Sequence, residues 1–251
     1  MSGVAIGIVD TDVGPLLAPI DPWIWPSLHE TGRWEPLVGD AVRSVLRPSD
    51  TVVNVGAHVG YFTRMAALAV GQHGRVYAYE PAPSNRRLLA LNTADLDNVE
   101  IRPFAVSDEE GQATFTFSGI NPGDHRLADN HPDAAGSMEV SVVRLDDEAR
   151  TYRSGGYTRA PALLFVDAQG LDLKVLRGAM SMIDRLRPHI MIEWTPRDLD
   201  HADYPVIDEI LDMGYTGSLI EGRHIVFNRA IDGDVIADGT GTLYLAPPEA
   251  P

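Results

Sequence analysis

From Thr51 onward, short apolar runs rich in β-branched residues alternate with stretches whose apolar positions recur at helical spacing, and no other feature of the chain limits its fold so tightly. Strands are expected at 51–55, 75–79, 99–103, 162–166 and 189–193. Helices are expected at 61–70, 83–95, 172–186 with a break near Gly178, and 204–213. Gly71, Gly74 and Gly214 supply stops, and Ser84 stands where a helix N-cap is needed. Strand and helix units in this order specify an α/β fold with a doubly wound, mostly parallel sheet. Runs at 215–220, 224–227 and 242–245 finish that sheet with an antiparallel edge. Two strand-like pieces, 113–117 and 139–143, interrupt the alternation, and the polar stretch 118–137 between them is long enough to form a substrate loop.

Residues 1–49 stand apart from this body. Pro15, Pro19, Pro22, Pro26 and Pro36, with Trp23, Trp25 and Trp34, favour extended or turn structure with aromatic anchors over a long helix. Such a segment packs over a domain and covers a site, or meets a second copy in a homodimer. The whole chain of 251 residues, 44% hydrophobic, suits one domain with this piece attached. Cysteine is absent, which removes disulfides, thiolate nucleophiles and cysteine-bound metals. A net charge of −16 repels phosphate backbones and anionic membranes and attracts cations, although acidity of this size also serves solubility. With no long apolar run and no basic leader, the expectation is a soluble, cytoplasmic protein without nucleic-acid or membrane partners.

The chemistry is written at the ends of the expected strands. Asn54-Val55-Gly56-Ala57-His58-Val59-Gly60-Tyr61 carries a strand through a glycine turn into a helix, where a ligand can approach the backbone closely. Glu80, twenty residues after Gly60, ends the next strand and is placed to accept from ribose hydroxyls; a solvated strand-end acid is the plain alternative. The dinucleotide pattern and the phosphate loop are both missing. A ligand with a ribose and no required phosphate fits, and S-adenosylmethionine is such a ligand.

Those motifs, with Tyr79-Glu80-Pro81, Phe104-Ala105-Val106-Ser107-Asp108, Val166-Asp167-Ala168-Gln169-Gly170 and Ile192-Glu193, resemble an FkbM-type methyltransferase over roughly residues 50–195. The resemblance implies a class I, Rossmann-like methyltransferase domain over 50–251 that uses S-adenosylmethionine, acting in natural-product pathways. It places Gly56, Ala57 and Gly60 at the methionine part of the cofactor, Tyr61 and Thr63 at its carboxylate end, Glu80 on the ribose, and Phe104, Ala105 and Val106 near adenine, with Asn54, Pro81, Ser84 and Asp167 as further cofactor contacts. Asp167 lies near the transferred methyl, with His58, Glu193 and Gln169 as further catalytic candidates. His58 is alternatively a loop histidine bonded to backbone.

Where such enzymes carry Asp-Val-Glu-Gly and Asp-Val-Gly-Ala-Asn, this chain has Asp167-Ala168-Gln169-Gly170 and Asn54-Val55-Gly56-Ala57-His58. Two carboxylates become amides, which argues against a metal site there. The acceptor expected is a cationic, hydroxyl-rich molecule held by Asp10, Asp12, Trp23, Trp25, Asp124 and His125. Methyl transfer to an amino group of an aminoglycoside, as in the gentamicin pathway, is the first expectation. O-methylation of a sugar or polyketide hydroxyl is the alternative. A binding module without catalysis and a nicotinamide oxidoreductase stay open, the second against the missing glycines.

Overall fold

The computed structural model describes residues 5–119, 125–127, 134–153, 160–196, 199–221, 224–226 and 240–249. The chain opens with a hairpin, β1 (Ile6–Thr11) and β2 (Gly14–Pro19), then α1 (Ile24–Thr31) and α2 (Pro36–Val45). The alternating body follows as β3 (Thr51–Val55), α3 (Tyr61–Val70), β4 (Arg75–Tyr79), α4 (Pro83–Asn92) and β5 (Val99–Arg102). An excursion comprises β6 (Ala105–Val106), β7 (Gly111–Ser118), β8 (Arg126–Leu127) and β9 (Ala134–Val143), and ends in α5 (Leu145–Glu148). The body resumes with β10 (Pro161–Val166), α6 (Asp172–Arg177), α7 (Met180–Leu186), β11 (His189–Trp194) and α8 (Pro205–Asp212). It closes with β12 (Thr216–Glu221), β13 (His224–Val226) and β14 (Gly241–Ala246).

The main sheet has the order β13-β12-β14-β11-β10-β3-β4-β5. The strands from β11 to β5 are parallel, and β14 runs antiparallel to both β11 and β12. This is the expected doubly wound α/β sheet with an antiparallel edge. Side chains alternate between two buried faces: Val53, Val55, Leu164, Val166, Ile190 and Ile192 pack with α6, α7 and α8. Val52, Leu163, Phe165 and Met191 pack with α2 and α3 on the other face. From β3 the chain winds outward to β4 and β5, and from β10 it winds the opposite way to β11. The strand order therefore reverses between β3 and β10, and a crevice opens at their C-terminal ends.

Gly178 breaks the expected long helix into α6 and α7. A Cβ there would lie 2.2 Å from the Ser107 carbonyl oxygen, so the glycine lets the helices sit against the loop after β6. Ser84 is not the cap of α4. Pro83, with its fixed φ, takes the first helical position, which makes Ala82 the cap residue and leaves Ser84 exposed one place further on.

The N-terminal segment is more regular than its prolines suggest. Pro15 and Pro19 sit in a two-stranded ribbon, and Pro26 and Pro36 lie in first helical turns, where no intrahelical N–H is required of them. The Asp21 carboxylate accepts from the N–H groups of Trp23 and Ile24, both at 2.7 Å, and starts α1. Two buried polar side chains pin the ribbon to the body. Asn92 pairs with the backbone of Leu17 like a neighbouring strand, at 2.7 and 2.9 Å. The Arg64 guanidinium donates to Val13 O at 3.0 Å and also reaches Asn92 O and Asp95. Arg64→Ala leaves two buried carbonyls without donors and is expected to cost about 2–4 kcal/mol in urea unfolding. A loss below 0.5 kcal/mol, the range of an ordinary surface substitution, would show that the ribbon is held by apolar packing alone.

Candidate active site

After Val55 the chain turns through Gly56 to Gly60 into α3. Gly56, at φ +77°, donates to Tyr79 O at 3.0 Å, and Ala57 N–H reaches the same carbonyl at 2.9 Å. A Cβ on Gly56 would lie 1.9 Å from Asp167 O, so only glycine fits between the ends of β3 and β10. Asn54 donates from Nδ2 to Thr63 Oγ1 at 2.9 Å, and its Oδ1 is buried at the cavity wall without a hydrogen-bond partner among the described residues.

Glu80 lies beneath this turn and is 4% exposed. Its Oε2 accepts from His58 N–H at 2.8 Å and its Oε1 from Ala82 N–H at 2.9 Å. Burial pushes its pKa up to about 7, against those two bonds, the Arg86 charge and a hydrogen bond from Asn85. These three bonds leave one of the about four acceptor positions of a carboxylate, so Glu80 can still accept from a hydroxyl in the cavity that it lines.

Across the turn, four carboxyl groups meet at the ends of β10 and β11 and the starts of α2 and α6. Gln169, at φ +49°, donates from Nε2 to Asp167 Oδ1 at 2.6 Å and to Glu193 Oε2 at 2.9 Å. Burial, with the nearby charges of Asp167 and Asp172, pushes Glu193 up to about 10, so it keeps its proton and donates to Asp167. Burial raises Asp167 too, opposed by the bonds from Glu193 and Gln169. Asp172, fully buried, accepts from Ala168 N–H at 3.0 Å and Gly170 N–H at 3.2 Å, and burial together with Asp167 brings it to about 7. Glu35 is exposed by surface area, yet protein atoms crowd its carboxyl; that crowding and the Asp167 charge raise its pKa to about 7.

A cavity of about 240 Å³ runs along these groups, lined by Glu80, the glycine turn, Ala105 and Val106, and Asp167, Gln169 and Glu193. Residues 54–216 match the family described as the Methyltransferase FkbM domain. The chain belongs to that family. It is 24% identical over 208 residues to the 2-O-methyltransferase NoeI of Sinorhizobium fredii, covering 77% of this chain and 81% of that protein. It is 37% identical over 98 residues to the 31-O-demethyl-FK506 methyltransferase FkbM of Streptomyces tacrolimicus, covering 38% of this chain and 35% of that protein. The structure of methyltransferase FkbM from Methylobacillus flagellatus, 16% identical, superposes with a TM-score of 0.50 over 87% of this chain and 52% of that one. This FkbM-family chain is thus an S-adenosylmethionine-dependent methyltransferase with the class I fold.

Most residues expected at the site of this FkbM-family protein line one cavity: Asn54, Gly56, Ala57, His58, Tyr61, Glu80, Pro81, Ala105, Val106, Asp167, Gln169 and Glu193, with Trp23 and His125. His125 accepts at Nδ1 from Ser118 N–H at 3.1 Å and stands beside Phe117. Several expectations are corrected. Thr63 is fully buried behind Asn54, Gly60 packs against Leu89 to start α3, and Ser84 faces solvent. Asp12 is spent on structure: it accepts from Tyr61 OH at 2.8 Å, Arg33 at 3.0 Å and Arg43 at 2.8 Å. Burial resists its ionisation, but these partners hold its pKa below the usual carboxylate value. Trp25 covers Gly7 and stacks on His29, and Asp10 is exposed on β1; neither lines the cavity. Asp124 lies outside the described residues.

Trp34, Glu35, Asn85 and Asp172 are functional neighbours that sequence reasoning missed. Asp172 carries a readable signal, an acid opening a helix just after Gly170. For Glu35 the acid before Pro36 marks a helix start, but nothing local says that it reaches strands far along the chain.

The buried Glu80 predicts a pH effect on stability. Its ordinary pKa of 4.5 rises to about 7 on folding, so between those values the folded state holds the proton more firmly and stability falls as pH rises. The unfolding free energy of the ligand-free protein minus that of Glu80→Gln is expected to drop by roughly 3 kcal/mol across that window. A difference independent of pH would show that Glu80 titrates as an ordinary carboxylate.

Proposed function

We propose that this FkbM-family enzyme transfers a methyl group from S-adenosylmethionine to a hydroxyl of a sugar-bearing or polyketide-like small molecule. The observation that carries the choice of oxygen is the carboxyl cluster around Asp167, because an alcohol nucleophile must lose a proton as it attacks and a carboxylate must be there to take it. The named relatives agree in kind: one is a 2-O-methyltransferase and the other acts at a 31-O position. An aminoglycoside nitrogen has less support, since the acidic and aromatic receptor expected for a cation does not assemble: Asp12 is bound to two arginines, and Asp10 and Trp25 lie outside the cavity.

The cavity fits the cofactor. Glu80 presents an acceptor position for a ribose hydroxyl, Asn54 Oδ1 is an unused buried acceptor suited to an ammonium group, and Gly56 leaves backbone room beside both. Phe104, Ala105 and Val106 offer an apolar wall for a base, with Phe115, His125 and Leu127 of the small sheet beside them. Once bound, S-adenosylmethionine supplies an electrophilic methyl group on a positively charged sulfur. The protein then needs to align the nucleophile, exclude water and receive a proton. Gln169 and the protonated Glu193 hold Asp167 in one orientation at the strand end, beside the place where the acceptor must stand.

Incubation with S-adenosylmethionine and a panel of neutral glycosides, 31-O-demethyl-FK506 and aminoglycosides, read by mass spectrometry with and without EDTA, tests the reading. The expected result is a gain of about one methylene unit on a neutral hydroxyl, unchanged by EDTA. A gain only on an aminoglycoside amine would overturn the choice of oxygen and leave the cofactor site standing. Glu80→Gln is expected to weaken S-adenosylhomocysteine binding by about 10- to 100-fold in calorimetry, the worth of hydrogen bonds to a charged group. Unchanged affinity would remove Glu80 from the cofactor site.

A further inference from the structure

A second cavity, about 210 Å³, adjoins the carboxyl cluster. Glu35, Asp167 and Glu193 line both cavities, so the two meet at these side chains. Away from these three the second cavity is lined by apolar Val38, Phe165 and Ile220 and by the hydroxyl residues Thr195, Thr240 and Thr242, and among the described residues no basic side chain lines it. Alternating hydroxyl and apolar surface of this kind matches a neutral sugar-like ring, which presents hydroxyls at its edge and C–H groups on its faces.

Glu35 occupies an unusual position where the two cavities meet. It has φ +43°, a left-handed conformation that an L residue seldom adopts, and it precedes Pro36, which normally favours extended backbone. The turn delivers its carboxyl to the strand ends, where it has no hydrogen-bond partner among the described residues. Asp167 and Glu193, by contrast, are tied to each other and to Gln169.

We propose that the second cavity receives the methyl acceptor as a neutral, sugar-like hydroxyl compound, and that Glu35 takes the hydroxyl proton where the two cavities meet. This rests on the methyl-transfer reading and extends it to the acceptor's location and class. The acceptor oxygen forms its bond to the methyl carbon as the carbon–sulfur bond breaks, the electron pair of that bond stays on sulfur, and the O–H proton passes to the Glu35 carboxylate. Glu35 keeps solvent contact and can then release the proton. The charged and titratable groups that face it are Asp167 and Glu193 from the strand ends, with Asp172 of α6 behind them. A carboxyl brought to about 7 is matched to proton transfer near neutral pH.

The test uses the full chain saturated with S-adenosylhomocysteine and titrated with methyl β-D-glucopyranoside, followed by methyl NMR. Shifts are expected at Val38, Thr195 and Ile220, and not at Ala57 or Val59 in the first cavity. Thr195→Trp, which fills the second cavity, is expected to abolish those shifts while changing S-adenosylhomocysteine affinity by less than about 2-fold, since its side chain touches only the second cavity. Thr242→Val, a nearly isosteric change, should weaken glycoside binding in the same direction. On any hydroxyl compound that the mass-spectrometric panel shows to be methylated, Glu35→Gln should lower kcat about 100-fold, leave KM nearly unchanged and erase the rise of rate through pH 7. Shifts confined to the first cavity, no shifts at all, or an intact pH profile in Glu35→Gln would overturn the proposal. Failure of S-adenosylhomocysteine itself to bind would instead overturn the methyl-transfer reading beneath it.

Discussion

Everything at this site depends on how closely β3 and β10 approach at their C-terminal ends. Val55 and Val166 are paired in register, Asp167 N–H donates to Val55 O at 3.0 Å, and the Asp167 carbonyl occupies the space where a side chain on Gly56 would begin. This contact sets the turn that carries Glu80's backbone donor on one side and the acid cluster on the other. A parallel sheet that winds in both directions from one central pair necessarily leaves a crevice at that pair. Here the missing Cβ lets the cofactor-facing and proton-accepting halves of the crevice share one floor.

The second constraint is electrostatic. A buried carboxylate is tolerated only if it is hydrogen-bonded, paired or protonated. Glu80 and Asp172 are each satisfied by two backbone N–H groups, whereas Asp167 and Glu193 share a proton and both accept from Gln169. This gives the amide at 169 a physical role, because its Nε2 donates to both acids and a carboxylate there would add a third acceptor to a place already rich in them. The negative charge that matters is therefore organised at a few atoms. The protein's overall acidity does not by itself select the acceptor.

Much of the fold could be read from residue order. Buried strands such as Thr51–Val55 and Arg75–Tyr79 and the helix Tyr61–Val70 end where glycine, β-branched runs and helical spacing place them. The glycine turn and Glu80 were equally legible, because a turn, a strand end and their separation are local quantities. Ser84 misled because Pro83 shifts the start of α4 by fixing its own φ. Asp12 and Trp25 misled because composition cannot say which partner a charge or ring will meet: Arg33, Arg43 and Tyr61 take the first, and Gly7 receives the second. The prolines of the N-terminal segment mark turns and first helical positions as readily as irregular chain.

By itself, then, the sequence determined the alternating α/β architecture, the glycine turn, the ribose-facing acid and the family of methyltransferases to which these motifs belong. Periodicity and motif spacing are properties of neighbouring residues, and they survive without knowledge of the rest of the chain. Only the tertiary structure decided that Glu35 joins Asp167 and Glu193 and that a second cavity meets the first at these side chains. Those facts depend on how the N-terminal segment is pinned by Arg64 and Asn92 across the ends of strands that lie far away in the chain, and no local pattern encodes such a distance.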